Sequence, residues 1–325
     1  MVSIKILTNF ANHDILFLIF NYRVCYFIFN LKLLSMKHYY LQYKPLIKAF
    51  CVSDSFIQSC IDEQKMPLIE LSGHDYQHLG CIPPDYNTPR IGFLMGRDNE
   101  CYSADWNYMR ALAMTGLNIQ GLTYEHCAEQ VQLCDGVVLP GGAFVSPESY
   151  YSDPKPDAEP TSLRAKAYIT CINFAVENGL PLLGICAGAQ MIAGYFGMFL
   201  FRNFSYVETP IEHKSYKDEA HRLNIFPNNP LWKLLGDQNL EFVNSRHTEL
   251  LAPIKIQRCL WAERYHENET DVELPLQIYA EANDGVPEAW GDADMHILCV
   301  QWHPEDLAAH QRIYQWLADE IAALR

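Results

Sequence analysis

The run Leu180-Pro-Leu-Leu-Gly-Ile-Cys-Ala-Gly-Ala-Gln190 is an apolar, strand-like segment that ends in Gly-x-Cys-x-Gly and passes at once into Met-Ile-Ala-Gly-Tyr-Phe. A strand that turns this sharply into a helix strains its backbone and needs small residues beside the turning residue, a need met by Gly184 and Gly188. Such a strand-to-helix unit implies a sheet whose strands end on one common edge. It sets Cys186 at that edge, next to a helix N-terminus whose partial positive charge suits an attacking thiolate. A cysteine in an apolar stretch is ordinarily a core thiol, so its reading depends on what accompanies it.

Two other apolar strands bring company. His296-Ile-Leu-Cys-Val-Gln-Trp-His-Pro-Glu305 runs into a histidine with a glutamate two residues on. Thiol chemistry needs a base to take the proton and an acid to hold that base in one tautomer, and Cys186, His303 and Glu305 supply the three parts. Residues two apart in extended chain point the same way, so the Glu305 carboxylate is expected against the His303 ring. Asp135-Gly-Val-Val-Leu-Pro-Gly-Gly-Ala143 opens a third strand into glycines, which let backbone N–H groups approach a reacting carbonyl oxygen. Gly142 and Ala187 are the expected oxyanion donors.

Pro-Gly-Gly, then Gly-Ile-Cys-Ala-Gly-Ala-Gln, then Val-Gln-Trp-His-Pro-Glu, in this order, resembles the class I glutamine amidotransferase superfamily. The stretches Pro140 to Tyr150, His221-Arg-Leu-Asn-Ile225, Phe242-Val-Asn-Ser-Arg-His247 and Ala282-Asn-Asp-Gly-Val-Pro-Glu-Ala289 are similar to the peptidase C26 branch. That branch includes gamma-glutamyl hydrolases of the gamma-glutamyl-gamma-aminobutyrate type. The resemblance runs from about Arg90 to the C-terminus. It implies that Cys186 attacks a gamma-glutamyl amide, that His303 moves the proton, that Glu305 orients His303, and that a gamma-glutamyl thioester forms and is hydrolysed. It also implies that Gln190, Asn244, Ser245 and His247 line the substrate pocket. The chain departs from the C26 pattern at Ala187, where Arg is common, at Phe144, where Asp is common, and at His247-Thr-Glu249, where His-His-Gln is common. Those departures bear on which leaving amine is accepted more than on the chemistry.

The expected fold is α/β: a mainly parallel, doubly wound, flavodoxin-like sheet of the class I glutamine amidotransferase type with a small antiparallel excursion. Strands are expected at Ile91 to Met95, Leu117 to Leu122, Gly136 to Leu139 and residues 181 to 184, and a helix at Asp105 to Met114. A second helix is expected to start from a Thr161 cap, with Leu163, Ala167, Cys171, Phe174 and Ala175 inward and Gly179 as its stop. After Phe199 the pattern shifts to short strands and turns until Leu276, with the acidic run Glu263 to Glu273 read as a solvated loop. Asp306 is expected to cap a last helix with Ile313, Trp316, Leu317, Ile321 and Leu324 inward.

Three segments are expected: an atypical hydrophobic N-terminal extension at 1–35, a connecting region of unassigned role at 36–89, and the catalytic domain at 90–325. The first 35 residues contain no Gly, Pro or Glu. Residues 1–48 carry six Lys or Arg against one Asp, leaving 18 against 38 in the rest. Residues 15–34 have the length of a membrane span, but Arg23 near the middle costs roughly 2.5 to 3.5 kcal/mol on insertion scales, so a cytoplasmic location is favoured over membrane association. A net charge of −15 without basic clusters argues against a nucleic-acid partner. Eleven cysteines include no Cys-x-x-Cys pair, so the reading expects no metal site, no cofactor and a reducing compartment. The expected partner is a small gamma-glutamyl substrate. Two alternatives stay open: a glutaminase subunit supplying ammonia to a separate synthase, and a non-catalytic binding protein of the same fold. A homo-oligomer is compatible with each.

Overall fold

A computed structural model describes residues 89–98, 101–142, 146–156, 160–215, 217–236, 242–268 and 272–325; before residue 68 it describes only short strand segments, as backbone. The extension at 1–35, most of the connecting region at 36–89, and Phe144 therefore lie outside what can be described in side-chain terms.

A nine-stranded mixed sheet organises the described residues. Its strands are β1 (Arg90–Leu94), β2 (Asn118–Leu122), β3 (Gly136–Leu139), β4 (Leu182–Ile185), β5 (His221–Ile225), β6 (Phe242–Val243), β7 (Gln277–Ala282), β8 (Pro287–Asp292) and β9 (Ile297–Val300). Their order across the sheet is β2-β1-β3-β4-β9-β8-β7-β5-β6. The run from β2 to β9 is parallel, whereas every pairing from β9 to β6 is antiparallel. The antiparallel part is thus a continuation of the same sheet, larger than the excursion expected from sequence. β3, β4 and β9 are buried along their whole length, as strands covered on both faces must be.

Helices α1 (Trp106–Ala113), α2 (Leu163–Glu177), α3 (Ala187–Tyr195), α4 (Pro230–Leu235), α5 (Ile254–Tyr265) and α6 (Arg312–Ala323) complete this part of the fold. Two large apolar clusters form the core. In one, Phe93, Val138, Leu183 and Val300 meet Leu112, Ile313 and Leu317; in the other, Leu94, Leu139, Leu182 and Cys299 meet Tyr168, Ile172, Met191 and Ile192. Residues that alternate along one strand thus serve opposite layers.

Several boundaries differ from the sequence reading. The cap of α2 is Ser162, whose side chain accepts from the Ala165 N–H, rather than Thr161. Leu163 is exposed, whereas Ala165 in the same turn is buried. Asp306 does not cap the last helix: it accepts from Asn107 at 2.6 Å and pairs with Arg246 at 2.7 Å, and α6 begins at Arg312 after two 3₁₀ turns. Leu324 lies just past the end of α6 and is exposed. Glu263 belongs to α5, so the acidic run starts inside a helix. Among the described residues no helix is long and apolar enough to cross a membrane.

Candidate active site

Register brings the three motifs together. Leu139 pairs with Gly184, and Ile185 pairs with Val300, so the carboxyl ends of β3, β4 and β9 lie side by side. The residues that follow them are Pro140-Gly-Gly, Cys186, and Gln301-Trp302-His303. This is the edge at which open α/β sheets bind ligands.

Cys186 turns with φ 50° and ψ −110°, a left-handed conformation that is strained for a residue bearing a Cβ. The surroundings hold it there. Its N–H donates to the Val300 carbonyl at 2.8 Å, and its own carbonyl accepts from the Gln190 N–H at 3.0 Å. A Cβ at Gly188 would lie 2.0 Å from the Leu139 carbonyl oxygen, so only glycine lets α3 pack this tightly against β3. Cys186 is 8% exposed.

His303 Nδ1 lies 2.7 Å from Glu305 Oε1, and Cys186 faces the same ring. Glu305 is itself held, with the Tyr314 hydroxyl donating to its second oxygen at 3.3 Å. Burial works against a charged imidazole here, but Glu305 first and Cys186 next outweigh it, so the pKa of His303 stands well above the usual histidine value. The geometry therefore favours a histidine that holds a proton between a sulfur and a carboxylate.

Around this line stand groups that sequence reading did not assign. The Tyr108 hydroxyl lies 3.3 Å from His303 Nδ1 and accepts the Gly141 N–H at 3.0 Å. A Cβ at Gly141 would approach the His303 ring to 2.8 Å and the Cys186 Cβ to 3.0 Å, so the bare backbone there makes room for both. Arg164 donates to the Gly141 carbonyl at 3.0 Å, and the Tyr168 hydroxyl donates to the Pro140 carbonyl at 2.7 Å. These bonds fix the Pro-Gly-Gly loop. Gly142 has φ 136° and follows the amide already bonded to Tyr108. Ala187 is the first residue of α3, where helix N–H groups have no partner within the helix.

The four residues expected to line a pocket are all buried. Asn244 clamps the His303 backbone, donating to its carbonyl at 2.9 Å and accepting its N–H at 2.8 Å. Gln190 donates to the Glu249 carbonyl at 2.9 Å and to Gln301 at 3.0 Å, tying α3 to the neighbouring wall. Ser245 donates to the His213 carbonyl. His247 sets Nδ1 at 2.8 Å from the Glu249 carbonyl and Nε2 at 3.4 Å from Glu288. Each of these contacts is a support within the protein. Glu249, which stands where Gln is common, has its pKa pushed up to about 9 by burial, opposed by Arg202 and reinforced by Cys186 and Glu148. Its carboxyl keeps its proton near neutrality and so can donate a hydrogen bond as Gln does.

The profile of one family, Peptidase C26, matches residues 106–305, which span Cys186, His303 and Glu305. The chain belongs to the Peptidase C26 family. Relatives agree with this membership. The chain is 30% identical to the glutamine amidotransferase-like protein YvdE of Lactococcus lactis subsp. lactis over 186 residues, covering 56% of this chain and 70% of YvdE. It is 26% identical to NtpR of Enterococcus hirae over 179 residues, covering 53% of this chain and 66% of NtpR. The chain thus spans about two thirds of those two relatives. It is 28% identical to the gamma-glutamyl-gamma-aminobutyrate hydrolase PuuD of Escherichia coli K12 over 234 residues, covering 67% of this chain and 86% of PuuD. The glutaminase domain of Trypanosoma brucei CTPS superposes with a TM-score of 0.45 at 15% identity, covering 71% of this chain and 94% of that one.

Proposed function

We propose that this protein hydrolyses gamma-glutamyl amides through Cys186, with His303 as proton carrier and Glu305 as its orienting partner. The observation that carries the reading is the unbroken contact line from Cys186 through His303 to Glu305 at the ends of two adjacent parallel strands. The named activity of PuuD and the family membership support the substrate class.

In the proposed sequence, the Cys186 sulfur attacks the gamma-carbonyl carbon while its proton passes to His303. The resulting oxyanion is met by the N–H groups of Gly142 and Ala187. The carbon–nitrogen bond then breaks, His303 gives its proton to the departing amine, and a gamma-glutamyl thioester remains on sulfur. Water attacks the thioester with His303 taking its proton, glutamate leaves, and the Cys186 thiol is restored. Glu305 keeps one ring nitrogen of His303 protonated throughout, so that the other exchanges the proton. Asn244 acts as a positioning residue by fixing the His303 backbone on both sides.

A panel of gamma-glutamyl amines offered to the purified full chain tests this directly. Release of glutamate and free amine, lost on Cys186→Ala, is the expected result. Hydrolysis that survives Cys186→Ala overturns the nucleophile, and activity that appears only when a synthase is added points instead to an ammonia-supplying subunit.

A further inference from the structure

Behind the active-site wall, three histidine rings converge on one carboxylate. His213 Nδ1, His221 Nε2 and His247 Nε2 lie 3.0, 3.4 and 3.4 Å from the same atom, Glu288 Oε1. All four side chains are almost fully buried, between 0 and 4% exposed. None of the four facing atoms, nor Glu288 Oε2, completes a hydrogen bond of acceptable geometry.

The outer contacts show why. His213 Nε2 lies 2.9 Å from Asp284 Oδ2, and His247 Nδ1 lies 2.8 Å from the Glu249 carbonyl oxygen. Both partners only accept, so those nitrogens carry the ring protons, and in the neutral rings the inward nitrogens present bare lone pairs to a carboxylate oxygen. Acceptor facing acceptor in a dry interior is costly unless a cation lies between them. Burial opposes a charged His213, but Asp284 and Glu288 push its pKa up to about 9, so one proton would satisfy that ring while His221 and His247 still face the same oxygen.

We propose that His213, His247 and Glu288, with His221 beside them, form a buried site for a divalent transition-metal ion of the zinc class. An ion with bonds of about 2.0 to 2.2 Å in tetrahedral array separates its ligand atoms by about 3.3 to 3.6 Å, and His213 and His247 lie 3.0 and 3.4 Å from Glu288 Oε1. The inward atoms of His213, His247 and Glu288 all fall within 4.8 Å of one another. The outer bonds to Asp284 and to the Glu249 carbonyl follow the pattern by which metal-bound histidines fix their tautomer and ring orientation. With neutral rings, one divalent ion balances Glu288 and the adjacent Asp284. Phe204 stacks on His213 at 4.6 Å and 12°, closing the site with an apolar ring.

Such an ion would cross-link separate parts of the chain. His221 lies on β5, Glu288 on β8, and His213 and His247 flank the paired strands Lys214–Ser215 and Ser245–Arg246. Because the Glu249 carbonyl accepts from both His247 and Gln190, the site also braces helix α3 behind Cys186. Its role is structural and separate from the thiol chemistry.

The test is metal content by mass spectrometry on the purified full chain, followed by chelation and titration with Co²⁺. One equivalent of Co²⁺ bound with the visible spectrum of a tetrahedral nitrogen–oxygen site, no thiolate charge-transfer band, and a Tm several degrees above the chelated protein are expected. Glu288→Gln and His213→Asn should lose that spectrum, while Cys186→Ala keeps it. Absence of metal as purified together with no Co²⁺ spectrum in the wild-type chain overturns the proposal, and this arm stands even if the variants fail to fold. A thiolate band, or a spectrum that persists in either folded variant, also overturns it.

Discussion

Cys186 illustrates how strain can be held at the residue proposed to attack. A left-handed φ of 50° at a residue with a side chain persists only because the Val300 carbonyl, the start of α3 and the close approach at Gly188 leave no other path. His303 depends equally on its supports, with Glu305 at 2.7 Å from the ring and Asn244 on the backbone. Glu305→Gln preserves shape but removes the charge that sustains the imidazolium and allows the ring to settle in the wrong tautomer. Steady-state kinetics should show kcat reduced about 10²- to 10⁴-fold with little change in thermal stability. Activity within tenfold of wild type would place the proton relay elsewhere. Cys186, His303 and Glu305 were legible in the sequence because each follows the end of an apolar strand in a short motif. Tyr108, Arg164 and the clamping role of Asn244 were not, because they act across 195, 23 and 59 residues of chain and leave no local spacing to read.

At the scale of elements, the junction of β4 and α3 is the tightest contact. A valine at Gly188 would drive its Cβ into the Leu139 carbonyl, which is backbone and cannot swing away. Gly188→Val is expected to cost more than about 3 kcal/mol, seen as loss of soluble protein or a large drop in the denaturation midpoint. A midpoint within error of wild type would mean that the helix seats differently. The segment before α6 makes a different kind of prediction. His310 is buried against Trp302, and burial first, with Arg312 second, lowers its pKa from 6.5 to about 4. The unfolded chain takes up this proton below about 6.5, but the folded chain resists until about 4. Stability from this group is therefore full above pH 6.5 and is lost as pH falls through that window, by up to roughly 3 kcal/mol. Urea midpoints of His310→Gln measured from pH 7 to pH 4 should fall less steeply than those of wild type, and parallel curves would contradict the assignment. Helices α4 and α5 escaped the sequence reading for a physical reason. α4 spans only Pro230–Leu235, and α5 buries only Gln257 and Ala262 well, so neither shows the apolar stripe on which a periodicity argument relies.

Over the whole sheet, the parallel half carries the groups proposed to react and the antiparallel half continues beside it. The βα alternation made the first half readable, since continuous apolar strands bounded by glycines have few other uses. In the second half one strand, Phe242–Val243, is only two residues long and leaves no alternation to read. The buried histidine cluster drew on four separate segments, and no spacing rule connects them. The site residues lie between Tyr108 and Tyr314 and the family match between residues 106 and 305, so removal of residues 1–35 should leave kcat/KM unchanged, as checked with the same gamma-glutamyl panel. A loss of more than tenfold would assign that segment a part in the fold.

The central claim is a gamma-glutamyl thioester on one sulfur, and intact-protein and peptide mass spectrometry after rapid acid quench of a gamma-glutamyl amide reaction tests it most directly. A glutamyl adduct confined to the Cys186 peptide, absent in Cys186→Ala and accumulating when water attack is slowed, is the predicted result. An adduct on another residue, or turnover that persists without Cys186, would contradict the account.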